Sequence, residues 1–304
     1  MAERNSNNNK TFLWKIAGVC FLAVAVICIA VVCIRAARQR QAEDTYRKLA
    51  EDTNSSGDAG EGAGEGKDSR EDPDTALSAE STQEKEEPEE EYLRILKEKG
   101  IPIPEKEIDF EDLQANVNGD IYAWLYIPDS ATDTTEAIDF PVLQHPTDNS
   151  YYLNYNLDGS RGYPGCIYTE NYNKKDFTDP LTVIYGHVMD TTGSMFAGLH
   201  RFRDAEYLEE HPYIYIYLPD RLYVYEIFAA YEYTDEHLLY GKDYGNEAVF
   251  TSYLRKVEGI RDMNSVKKEG VQLSADDRIL TLSTCITGKP DNRYLVQGVL
   301  VNGE

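Results

Sequence analysis

The sequence predicts a mostly-β body carrying a few helices, preceded by one membrane-spanning helix and an acidic linker. Three observations carry this reading. Tyrosines and apolar residues alternate over Tyr213-Ile214-Tyr215-Ile216-Tyr217 and Leu222-Tyr223-Val224-Tyr225, on either side of Pro219-Asp220, the pattern of a β-hairpin. Two continuous apolar runs, Leu181-Thr182-Val183-Ile184-Tyr185 and Ile279-Leu280-Thr281-Leu282, read as buried strands, and each leads to a reactive side chain, His187 and Cys285. Residues 16–34 contain no charged or strongly polar side chain.

At ~1.5 Å per residue, a helix over 16–34 is about 28 Å long, close to the hydrocarbon thickness of a bilayer. The run is long for a cleaved leader, and no clear small-x-small site closes it. It therefore reads as an uncleaved anchor behind a short N-terminal segment, 1–15. Arg4, Lys10 and Lys15 precede it and Arg35, Arg38 and Arg40 follow, so charge alone does not orient it. Residues 35–91 read as a flexible, self-repelling linker. Within them Gly60 to Gly66 cannot bury a core, and the stretch 41–92 holds five Lys/Arg against eighteen Asp/Glu.

The folded domain is expected over 92–304. Tyr92 to Lys97 reads as a short helix stopped by Gly100, and Asp109 to Asn116 as a second. Ile121 to Ile127 begins the strand-rich body. Phe250, Tyr253, Leu254, Val257 and Ile260 recur at helical spacing and predict one core-packing helix. The last strand is expected at Tyr294 to Val301, after a loop over Ile286 to Asn292 containing Gly288 and Pro290.

A net charge of −24 repels nucleic acid, so no such partner is expected. No H-x-x-x-H or C-x-x-C spacing supports a metal site, and no cofactor is expected. Cys20, Cys28 and Cys33 lie in the apolar span, leaving Cys166 and Cys285 to the domain. No Asp, His and Ser order fits a serine hydrolase.

Cutting an amide and passing the acyl half to an amine needs a nucleophile, an acid for the leaving amine, and donors for the tetrahedral oxyanion. A thiol at a strand end supplies the first: it is only a few per cent ionised at neutral pH, yet strongly nucleophilic. Cys285 takes this role. His187 is the best acid, because imidazole titrates near the working pH; His145, His200, His211 and His237 are weaker candidates. Arg293, eight residues beyond Cys285, offers a planar fork of donors to the oxyanion. Ser283 shares a face with Cys285 by strand alternation, while Thr284 points the other way.

The pattern resembles the sortases, the cysteine transpeptidases of Gram-positive cell surfaces. Thr281-Leu282-Ser283-Thr284-Cys285 with Arg293 is similar to their TLxTC…R signature, and Ile184-Tyr185-Gly186-His187 to their histidine segment. Class B is nearest in order: Phe140 to Gln144, Asp148 to Leu153, Gly165-Cys166-Ile167-Tyr168, and Gly193 to Phe196 after the histidine. The resemblance spans roughly Glu90 to Val301. It implies a closed or nearly closed β-barrel with peripheral helices, one helix lying between the strand near Tyr233 and that ending at Cys285. It implies that Asn149, Leu153 and Tyr185 contact a sorting peptide, with Ser283, Thr284, Leu239 and Tyr240 beside them.

The implied activity is cleavage of a C-terminal sorting motif of a secreted protein after a threonine, through a Cys285 thioacyl. Transfer to an amine of a peptidoglycan precursor or a pilin follows. The catalytic domain would face outward from the cell membrane, with the N-terminus cytoplasmic. A hydrolytic cysteine peptidase and a non-catalytic surface-displayed β-domain are the alternatives. The chain departs from the family pattern where Ile286 and Thr287 follow the cysteine in place of an acid, which puts an acidic helper for His187 in doubt. Cys166 stands where a serine is common; the class B layout puts it on a different strand from the site, so no disulfide with Cys285 is expected.

Overall fold

The computed structural model describes residues 2–55, 91–128, 137–189 and 191–303. Helix α1 (Ala2–Ser55) opens the chain. It is long and apolar enough to cross a membrane, and Phe21, Ile27 and Val32 are exposed on it. The helix does not stop at Ile34. Residues 35–55, expected to begin a flexible linker, continue it and dock on the domain. The reason is a short apolar stripe at i, i+3 and i+7: Tyr46 is buried, Leu49 packs on the main core, and Thr53 is buried. The remainder of the expected linker, 56–90, lies outside the described residues.

Helix α2 (Glu91–Glu98) ends before Gly100, whose φ of 66° suits a glycine. Helix α3 (Phe110–Asn116) is capped by Asp109, whose side chain accepts from the Asp112 N–H. Then follow β1 (Ile121–Ile127), β2 (Ile138–Leu143), α4 (Tyr151–Asn154), β3 (Ile167–Thr169) and β4 (Leu181–Tyr185). A small hairpin, β5 (Val188–Met189) and β6 (Ser194–Met195), leads into a 3₁₀ turn at Phe196–Arg203 and helix α5 (Ala205–Glu210). The rest is β7 (Tyr213–Leu218), β8 (Arg221–Thr234), α6 (Glu247–Gly259), β9 (Val266–Lys267), β10 (Ile279–Ile286) and β11 (Lys289–Leu300).

The sheet runs β11-β10-β4-β3-β2-β1-β7-β8-β9, and pairing of β11 with β8 closes it. The result is the closed β-barrel expected, with β9 as an appended edge strand. The tyrosine-rich hairpin is β7–β8, tightly turned at Leu218 and Arg221. Its alternation has a physical use. Ile214 and Ile216 point into the main core with Trp124 and Leu125. The other face carries Tyr215 and Tyr217, whose hydroxyls donate to the Pro102 and Pro104 carbonyls of the segment that follows α2. A tyrosine there buries a large ring and still satisfies its O–H.

Helix α6 covers a second cluster, burying Phe250, Leu254 and Val257 against Leu181, Val183 and Tyr231. The helical spacing thus reports core packing, as expected. The β10–β11 connection differs from expectation. The strand resumes at Lys289 rather than Tyr294, after a short turn with Gly288 at φ 80°. Cys285 pairs with Arg293 while Ile286 pairs with Lys289, so Pro290, Asp291 and Asn292 bulge from the ladder. Pro290 has no N–H to offer a partner strand, which favours a bulge over regular pairing.

Candidate active site

Strands β4 and β10 are parallel, with Leu282 beside Ile184 and Ser283 beside Tyr185. Their C-terminal ends therefore reach the same rim of the barrel. The contact continues beyond β4: the Gly186 N–H donates to the Ser283 carbonyl at 3.1 Å, and the Thr284 hydroxyl donates to the Gly186 carbonyl at 2.8 Å. One residue further on each chain stand His187 and Cys285. On the other side of β10, Arg293 is the direct cross-strand partner of Cys285. Directly paired residues on an antiparallel ladder have Cβ atoms about 5 Å apart on one face. The three side chains thus come from three adjacent strands or strand extensions, and all three line one cavity of about 380 Å³.

Gly186 is what allows the histidine segment to lie so close. A Cβ there would sit 2.4 Å from Ile167 Cδ1 and 2.7 Å from the Phe196 ring. Any side chain would force the segment outward.

The sortase domain matches residues 132–301. The chain belongs to the sortase family. It is 37% identical over 195 residues to sortase B of Listeria monocytogenes, covering 64% of this chain and 74% of that one. It is 29% identical over 177 residues to sortase B of Staphylococcus aureus, covering 58% and 67%. The crystal structure of Clostridium perfringens sortase B superposes with a TM-score of 0.53 at 27% identity, covering 64% of this chain and all of that one. This sortase is accordingly a class B member and a cysteine transpeptidase.

In this sortase the His187 ring is held by backbone. Its Nε2 lies 2.7 Å from the Leu153 carbonyl, so that nitrogen carries the hydrogen. The Tyr163 ring meets the imidazole edge-on at 5.0 Å. Burial lowers the His187 pKa, and the Leu153 carbonyl only partly offsets it. The imidazolium is therefore the minority form at neutral pH and grows as pH falls through the depressed value. The expected result is a ring NMR titration with its midpoint below the ordinary ~6.5. A midpoint at or above that value would mean the pocket does not desolvate the ring.

Arg293 is anchored at one end. Its Nη1 donates to the Pro290 and Asn292 carbonyls, both at 2.9 Å, which belong to the bulge. That leaves the rest of the five-donor fork for another acceptor. Cys285 is half-buried and its thiol is not in a disulfide; Cys166 is fully buried and also free. His200, weighed above as a lesser acid, sits behind the Cys285 backbone, with Nε2 at 3.1 Å from the Cys285 carbonyl. His211 is buried and stacked on Tyr207.

Of the residues expected to contact a peptide, Leu153, Tyr185, Ser283 and Thr284 border the cavity. The Thr284 hydroxyl is committed to Gly186, so this residue aligns the two strand ends. Asn149, Leu239 and Tyr240 are not among its lining residues. Asn149 accepts from the Asn171 N–H, Leu239 is buried under α6, and Tyr240 is exposed with its ring 6.2 Å from those of Tyr172 and His237.

The cavity also includes His237, weighed above as a lesser acid, and Glu170, which the sequence analysis did not single out. Glu170 and His237 form a pair, carboxylate to Nε2 at 2.9 Å, and both face the cavity. They are 67 residues apart, so no local spacing signals the pair. Tyr168, Tyr233 and Leu238 complete that wall.

Proposed function

We propose that this sortase is membrane-anchored and joins the acyl half of a secreted protein's C-terminal sorting motif to an amine. The observation that supports it is the meeting of Cys285, His187 and Arg293 on one cavity at the barrel rim. Cys285 attacks the scissile carbonyl as thiolate, forming the C–S bond. Arg293 donates hydrogen bonds to the oxyanion. The C–N bond breaks, and the imidazolium of His187 gives its proton to the leaving amine. A thioacyl remains. An incoming amine then attacks it, loses a proton to His187, and expels the Cys285 thiolate, which restores the starting state.

Leu153, Tyr185 and Ser283 form the floor on which the sorting peptide lies, with Asn149, Leu239 and Tyr240 extending the track beyond the cavity. The acceptor is an amine of a peptidoglycan precursor or of a pilin. Residues 16–34 span the cell membrane, 1–15 are cytoplasmic, and the catalytic domain, 92–304, is extracellular. The exposed apolar side chains of α1 support the span.

A cysteine peptidase with the same three residues would release free acid. Product mass separates the two. Peptides with threonine before the scissile bond are incubated with the enzyme, with and without diglycine. The expected product with diglycine is the ligated peptide, exceeding the acid product at millimolar amine. Free acid alone, whatever the amine concentration, would assign the chain to hydrolysis.

A further inference from the structure

The docked half of α1 touches both flanks of His187. On one flank, the Tyr46 hydroxyl donates to the Gly165 carbonyl at 2.6 Å, across 119 residues of sequence. The Tyr46 ring is 3% exposed and meets Phe140 edge-on at 5.6 Å. Gly165 in turn backs the catalytic-site imidazole. A Cβ on it would lie 3.3 Å from His187 Cδ2 and 2.8 Å from the Tyr152 carbonyl. Its φ of 70° and its N–H, donated to Asn156 Oδ1 at 2.9 Å, hold the turn in that place.

On the other flank, the hairpin β5–β6 starts at the residue after His187. The Phe196 N–H closes it by donating to the His187 carbonyl at 3.0 Å. Thr192 in this hairpin donates its hydroxyl to Glu43 Oε1 at 3.2 Å. Gln39 donates to the same oxygen at 3.0 Å, which steadies the carboxylate. Glu43 and Tyr46 lie on one face of α1, one turn apart. The turn carrying Gly165 and the hairpin carrying Thr192 are thus fastened to a single helix.

We propose that α1, through Tyr46 and Glu43, is a positioning element for His187, so that the membrane helix forms part of the active-site framework. The inference rests on His187 being the acid–base group of the reaction. From Ile34 to Tyr46 the helix is unbroken, about 18 Å at 1.5 Å per residue. A purely stabilising role would require only the ring of Tyr46 and its packing on Phe140. The hydroxyl bond to Gly165 and the Glu43 bond to Thr192 reach the two segments that cage the histidine.

The test uses the full chain in detergent or nanodiscs. Tyr46→Phe keeps the ring and removes only the hydroxyl. The expected result is a kcat lower by about 3- to 10-fold with KM nearly unchanged, because one lost hydrogen bond mispositions a group used in the chemical steps. Thr192→Val, on the hairpin, is expected to act in the same direction without threatening the fold. The His187 ring resonances are expected to move in both variants relative to the parent chain. That readout needs no turnover. If the parent chain fails to join peptides, the functional reading falls while the positioning claim is still decided by NMR. Unchanged kcat and unchanged His187 resonances in both variants, or a loss confined to melting temperature, would overturn the proposal.

Discussion

Cys285→Ala is expected to abolish peptide joining, with turnover falling by at least ~10⁴-fold, as when a nucleophile is removed from a unit that acts together. The methyl group cannot form a covalent acyl intermediate, and the rest of the site has nothing to hand the acyl group to. Peptide incubated with the parent chain and no amine is expected to leave a mass adduct on the tryptic fragment holding Cys285; the variant is expected to leave none. Cys285 is half-buried at the end of β10, and alanine fits the strand, so melting temperature should hardly change. A variant that still joined peptides would remove Cys285 from the mechanism.

The second large effect is at Arg293. Losing one oxyanion donor group costs ~2.7–4 kcal/mol of transition-state stabilisation, so Arg293→Ala is expected to lower kcat by about 10²–10³-fold with little change in KM. Arg293→Lys keeps a charge but not the planar fork, and is expected to recover little of this. The side chain also ties down the Pro290–Asn292 bulge through two bonds, one exposed and one part-buried. Those are each worth ~0.5–1.5 kcal/mol, so a drop in melting temperature of a few degrees is expected alongside. A rise in KM with kcat preserved would recast Arg293 as a ground-state peptide contact.

What was legible in the sequence followed from periodicity. The β7–β8 hairpin announces itself because alternate residues face different neighbours, the barrel core and the Pro102–Pro104 segment. Helix α6 is legible because only one of its faces meets the barrel. The meeting of Cys285 with Arg293 could be read from one hairpin, since both lie on strands joined by a short turn. His187 came from a strand that ends on a glycine and an imidazole.

The rest required the third dimension. The Glu170–His237 pair joins the end of β3 to the loop after β8, and neither segment has a pattern that names the other. The bulge at Pro290 was read as a loop because a proline and an asparagine mark turns and bulges alike. The docked part of α1 was hidden by its charge. Glu43, Asp44, Arg47 and Lys48 dominate that stretch, and the narrow stripe of Tyr46, Leu49 and Thr53 was the signal that could have revealed it.

Because β4 and β10 run side by side in the same direction, sulfur and imidazole are carried to one edge by two staves of a single wall. The chain between them supplies two more staves, β7 and β8, but α6 and the loop bearing His237 are not strands of that wall. Insertions, deletions and rewired contacts in α6 and that loop can change the lining of the cavity while sulfur and imidazole keep their spacing. The chemistry is set by carpentry, and selectivity is free to drift.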